Sequence, residues 1–162
     1  MTLFKNTIPM LLALLLTPHL QASELLPKQY KLTTALAEKI AKAAVSECKK
    51  YNANVSISIV NDQGRLMYFY RGDNSGSNTI HTSFRKAYTS ATLKAPTSVM
   101  AGFVETKGFS QLGKMEDDIL LLTGGLPITY KDQLVGAIGL SGSPNPKLEE
   151  TCGMEALKLL TE

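Results

Sequence analysis

Thr123 to Pro144 reads TGGLPITYKDQLVGAIGLSGSP, and this stretch decides the fold. Two short apolar runs, Leu126–Tyr130 and Leu134–Leu140, flank a polar turn at Lys131-Asp132-Gln133, which is the pattern of a β-hairpin. Gly124 and Gly125 precede the first run, Gly136 and Gly139 lie inside the second, and Gly142 follows it. Glycine inside a strand weakens it, so such positions mark a bulge or the close approach of another backbone or a ligand. The second strand therefore either packs tightly against a neighbouring element or lines a site.

Outward from the hairpin, the hydrophobic periods assign the remaining elements. Leu36, Ile40, Ala43, Ala44, Glu47, Cys48 and Tyr51 fall at helical spacing, predicting an amphipathic helix over Thr34–Tyr51 with Thr33 as its N-cap. Val55, Ile57 and Ile59 alternate with Ser56 and Ser58, which predicts a half-buried strand. Asn61-Asp62-Gln63-Gly64 turns the chain, and Arg65–Tyr70 returns as a second strand before a loop at Gly72–Asn78. A long helix is expected over Thr79–Lys94, ended by Pro96, with a short one over Ser98–Glu105 and irregular chain over Lys107–Met115. Ile119–Thr123 opens with four successive apolar residues and predicts a central, buried strand. Lys147–Leu160 is expected to be the last helix, with Met154, Leu157 and Leu160 along one face. Runs of strands separated by helices give an α+β class with an antiparallel sheet.

The first 22 residues read differently from the rest. Lys5 supplies a positive start, Ile8–Leu16 is apolar apart from Pro9, Thr17-Pro18-His19 breaks the run, and Leu20-Gln21-Ala22 suits cleavage before Ser23. The apolar run is shorter than the ~20 residues of a membrane span. The expectation is a signal peptide at 1–22, a single domain over 23–162, no membrane association after cleavage, and a periplasmic or secreted location. Without Lys5, sixteen basic residues stand against fourteen acidic ones, too balanced and too dispersed to imply a nucleic-acid partner. Cys48 and Cys152 are the only cysteines. They lack the partners of a zinc site and are either one disulfide or two buried thiols.

The hairpin, with GGLPI, a polar turn and VGAIG followed by Ser141-Gly142, resembles the GlcG/HbpS-like haem-binding family, also called the haem-degrading domain family. Three upstream segments are similar to the same family: Val55–Gly64 to its first strand and turn, Phe84–Ala91 to its central helix, and Pro96-Thr97-Ser98 after that helix. The resemblance runs from about Leu32 to Leu160. It implies a profilin-like antiparallel sheet of about five strands with helices on both faces, a haem or related tetrapyrrole ligand, and a homo-oligomer. It also implies that the first and last helices share one face of the sheet, where Cys48 and Cys152 would pair.

Other motifs carry less. Gly136, Gly139 and Gly142 are spaced G-x-x-G-x-x-G and miss the dinucleotide fingerprint. Gly139-Leu140-Ser141-Gly142-Ser143 misses the nucleophile elbow, because Ser143 stands where the last glycine belongs. Arg71-Gly72-Asp73 reads as a loop whose side chains make local bonds, and Met67, Met100 and Met115 read as core filler.

His81 becomes the sole histidine once His19 leaves with the leader. It opens the second long helix, with Arg85 at i+4 and Tyr88 at i+7 on its face. From the residues alone it is either a polar helix-start residue or a ligand. Imidazole is a common axial ligand of haem iron, and a neighbouring cation can pair with a propionate. The resemblance favours that reading and adds Lys86 and Tyr88, which match the family's helix motif, so the candidate haem site is His81, Arg85, Lys86 and Tyr88 with His81 on the iron. The expected function is an exported protein that handles or senses haem. Haem degradation rests on the resemblance alone, since no acid–base pair or second histidine accompanies His81. The alternative is a non-enzymatic sensor or accessory oligomer that binds a small metabolite or a partner protein.

Overall fold

The computed structural model describes residues 27–109 and 111–160. The leader expected at 1–22 and its cleavage point lie outside them. In chain order the elements are α1 (Thr34–Lys49), β1 (Ser56–Asn61), β2 (Leu66–Arg71), α2 (Thr79–Leu93), α3 (Thr97–Lys107), β3 (Gly125–Tyr130), β4 (Gln133–Ser141) and α4 (Pro146–Leu157). Among the described residues, four strands form one antiparallel sheet in the order β2-β1-β4-β3. Lys131 and Asp132 close the β3–β4 hairpin in two residues, both at positive φ (46° and 60°). That twist matches the twist of the strands it joins.

Side-chain alternation sends the two faces of the sheet to different partners. Ile57 and Ile59 of β1, Ile138 and Leu140 of β4 and Leu126 and Ile128 of β3 form one apolar face, covered by α1 and α4. Thr33 caps α1 as expected, accepting a hydrogen bond from the Leu36 N–H. Cys48 of α1 and Cys152 of α4 are joined in a disulfide, with Cα atoms 5.3 Å apart, so the two helices share this face. The opposite face is covered by α2, and there the contact is built from small residues. A Cβ on Gly139 would fall onto the carbonyl oxygen of Ser83. The strand glycine therefore marks the close approach of a helix.

That approach corrects the reading of β1. The strand is buried on both faces rather than half-buried, because Ser56 and Ser58 point into α2 instead of water. Their hydroxyls meet Thr79 Oγ1 at 2.7 Å and Ser83 Oγ at 2.9 Å, which satisfies polar groups that would otherwise be costly to bury.

Ile119–Thr123 is not a fifth strand. Its backbone is held by helix side chains: Arg85 donates to Ile119 O, Thr89 Oγ1 accepts from Leu120 N–H, and Thr97 Oγ1 donates to Leu122 O. Only Ile119 is fully buried in the segment, while Leu122 is 53% exposed. A run of apolar residues can be buried against helices as well as within a sheet, and periodicity cannot separate the two. The apolar face expected of the last helix holds in part: Leu157 and Leu160 pack against the main core, Met154 is exposed, and the fully buried residues are Glu149, Cys152, Gly153 and Ala156. Met67 packs against the main core as expected, but Met115 is 62% exposed. Arg71 makes the local bond expected of it, donating to Ser75 O.

Candidate functional site

α2 presents two different flanks, and a cleft opens on each. The first cleft, of about 690 Å³, lies between α2 and the β1–β2 hairpin. His81, Phe84 and Tyr88 stand at i, i+3 and i+7 on one face of α2 and line it together. Leu66, Phe69 and Ile80 supply the other apolar surfaces, and Arg65 is its cation, with Glu116 and Asp118 also on the wall. Tyr88 is held under the turn by Gly64, whose φ is +74°; a Cβ there would come within 2.7 Å of the Tyr88 ring. The Phe84 and Tyr88 rings lie 6.1 Å apart, so the floor of the cleft is aromatic.

The second cleft, of about 670 Å³, is the more polar of the two, with Leu121, Leu122, Pro144 and Pro146 also on its wall, and lies on the opposite flank of α2, between its first turns, the start of α4 and α3. Lys86 and Glu149 stand on its wall as an ion pair, with Nζ 2.5 Å from Oε2 and side chains 5% and 2% exposed. Lys86 also donates to Leu140 O, and the other oxygen of Glu149 accepts from the Gly142 and Ser143 N–H groups. Burial pushes the Glu149 carboxyl up, opposed by the Lys86 ammonium and these backbone donors. Gly124, at φ +126°, leaves room for the pair: a Cβ there would stand 2.6 Å from Glu149 Oε2 and 2.8 Å from Lys86 Nζ.

The four residues singled out from the sequence are therefore divided. His81 and Tyr88 share the aromatic cleft. Arg85 lies on the shoulder of α2, donating one N–H to Ile119 O, with its Nε buried and without a partner among the described residues. Lys86 belongs to the polar cleft. Among the described residues no group of three or more His, Cys, Asp and Glu could hold a metal ion, which leaves His81 as a single-nitrogen donor.

The family model described as "Haem degrading protein HbpS-like" matches residues 32–158. The chain belongs to the HbpS-like family. HbpS of Streptomyces reticuli, crystallised as a double mutant, is 32% identical with a TM-score of 0.77, over 83% of this chain and 90% of that one. Protein GlcG of Escherichia coli (strain K12) is 30% identical over 117 residues, which is 68% of this chain and 81% of GlcG. The crystallised PduOC–haem complex has the same fold, with a TM-score of 0.72 at 19% identity over 79% of this chain and 94% of that one.

Within this HbpS-like chain, sequence reasoning missed Phe84, Phe69, Leu66 and Arg65 as walls of the aromatic cleft. Phe84 carried a usable signal, since it stands three residues after His81 on the same helix face. The β2 residues carried none, because which strand face meets α2 is settled only by packing. Glu149 was missed too, since a glutamate in the first turn of a helix reads as an ordinary favourable charge at the N-terminus.

Proposed function

We propose that this chain is an exported haem-binding protein that takes haem, or a related tetrapyrrole, into the aromatic cleft beside α2. The observation that carries the reading is the convergence of one imidazole, His81, with an aromatic floor and a single arginine in one cleft of about 690 Å³. A flat apolar macrocycle suits aromatic and aliphatic walls, an imidazole can ligate its iron, and a guanidinium can pair with a propionate. Arg65 fits that last role better than Arg85, because Arg65 lines the cleft and Arg85 is bonded to Ile119 O. Tyr88 supports the macrocycle by contact. Iron coordination and any redox chemistry belong to the haem; the protein binds it, orients it and limits its contact with water. The family's description and the haem complex of a fold neighbour support the same ligand.

Haemin added to the purified protein gives a Soret band that titrates to one equivalent. His81→Ala shifts or abolishes that band, while Arg65→Ala weakens uptake and leaves the ligation spectrum unchanged. Bound haem with an unaltered spectrum in His81→Ala would overturn His81 as the ligand, and no uptake by the wild type would overturn the site.

Export is supported by the charge, apolar run, helix break and Ala22 of the first 22 residues, together with the disulfide, since such bonds persist in oxidising compartments. The intact mass of the exported protein should correspond to a start at Ser23; a mass that retains Met1 would refute cleavage. Self-association is supported by the exposed Val99, Phe103, Phe109, Met115 and Leu122, large apolar side chains left uncovered on and after α3. Light scattering should report a homo-oligomer, and a strict monomer across micromolar concentrations would refute it.

A further inference from the structure

The polar cleft is separate from the haem cleft, and its wall holds donors that the protein does not use. Ser141 is only 5% exposed and lines this cleft, yet its hydroxyl has no hydrogen-bond partner among the described residues. Its oxygen is not sealed in the interior, so the hydroxyl is open to whatever occupies the cleft. Immediately before it in β4, Leu140 O accepts from Lys86 Nζ. An ammonium carries three N–H donors. The Lys86 ammonium donates to two acceptors, Leu140 O and Glu149 Oε2. Glu149 is itself fully engaged, with one oxygen on Lys86 and the other on two backbone N–H groups. It fixes the ammonium without supplying a further acceptor. The cleft thus offers one spare cationic N–H and one spare O–H from neighbouring positions.

We infer that the polar cleft is a second binding site, for a small carboxylate anion held between the Lys86 ammonium and the Ser141 hydroxyl. A carboxylate presents two acceptor oxygens on one carbon, which matches two donors of this kind, and a hydrogen bond to a charged donor is among the stronger ones. The Thr82 hydroxyl, which donates to Asn78 O and keeps its acceptor capacity, suits a polar substituent on the anion. α3 forms the outer wall through Ala101 and Glu105 and is attached mainly at its beginning. Thr97 is its buried residue, bonded to Leu122 O and Gly125 N–H, and Ser98 N–H donates to Glu150. The exposed Glu105 faces the cleft and opposes anion entry, so Glu105→Gln tightens binding.

Acetate, lactate and succinate, with methyl acetate as the uncharged control, are titrated into the isotopically labelled full protein. The readout is amide chemical shifts, with and without haemin. At least one carboxylate produces saturable shifts at Thr82 and Ser141–Ser143 whether or not haemin is present. Methyl acetate produces none. Ser141→Ala weakens the binding several-fold while the unfolding midpoint stays near that of the wild type, and Glu105→Gln strengthens it. Shifts equal for the ester and the acids, shifts absent for all three acids, or carboxylate binding undiminished in Ser141→Ala would each overturn the site. Competition between haemin and the carboxylates for one set of residues would overturn its separation from the haem cleft.

Discussion

Lys86→Met is expected to lower the free energy of unfolding by about 3–5 kcal/mol, because removing one partner of a buried ion pair leaves the other charge uncompensated. The carboxylate left behind would be that of Glu149, 2% exposed and facing the space that the ammonium filled. Glu149→Leu should cost a similar amount, since it strands the Lys86 ammonium and also removes the acceptor of the Gly142 and Ser143 N–H groups. The informative variant is the pair Lys86→Met with Glu149→Gln. It removes both charges and keeps a carbonyl oxygen for the two backbone donors. Urea denaturation of the two single variants and the double should therefore show strong non-additivity, with the double variant recovering much of the loss. A loss within about 0.5 kcal/mol for either single change, the range of ordinary surface substitutions, would show that the pair does not hold α2 to α4.

The second large effect belongs to the disulfide. Cys48→Ala, or reduction of the wild type, should lower stability by about 4–5 kcal/mol on the chain-entropy account of a long closed loop. The bridge spans 104 positions and ties the first helix to the last. Both cysteines are fully buried, so Cys48→Ala adds a small packing loss to the loss of the cross-link. Comparing the variant with the reduced wild type separates the two contributions. Equal denaturation midpoints for the oxidised and reduced wild type would show that the bridge adds nothing to stability. Either change uses up a large share of the 5–15 kcal/mol that typically separates folded from unfolded chains.

How much of this was legible in the sequence depends on whether the deciding partner was local. The β3–β4 hairpin was legible because turn, alternation and strand glycines all lie within Thr123–Pro144. α1 was legible because its cap and apolar stripe are adjacent in the chain. The outcome at Ile119–Thr123 turned on partners about thirty residues away: Thr89 and Arg85 take over the hydrogen bonds that a neighbouring strand would have taken. Ser56 and Ser58 looked like a solvent face because serine is polar, and only the proximity of Thr79 and Ser83 makes that face an interior. For the aromatic cleft, His81 and Tyr88 were visible as a helix face, but Arg65, Leu66 and Phe69 enter from another hairpin. Lys86 was placed with the haem ligands by its helix motif, and nothing local showed that its side chain is buried in the polar cleft instead. Its partner Glu149, 63 positions later, gave no such sign either.

The cross-link between α1 and α4 also simplifies the route by which the chain matures. With two cysteines there is one possible pairing, so oxidation has no scrambled isomers to sort through and needs no isomerase to correct it. On the proposed export, with the N-terminus leading, the thiol of Cys48 would arrive early, and its partner would follow only with α4. Because Cys152 follows the last strand in the chain, closure on that route would come after every strand of the sheet has been delivered and would secure a finished domain instead of trapping a partial one.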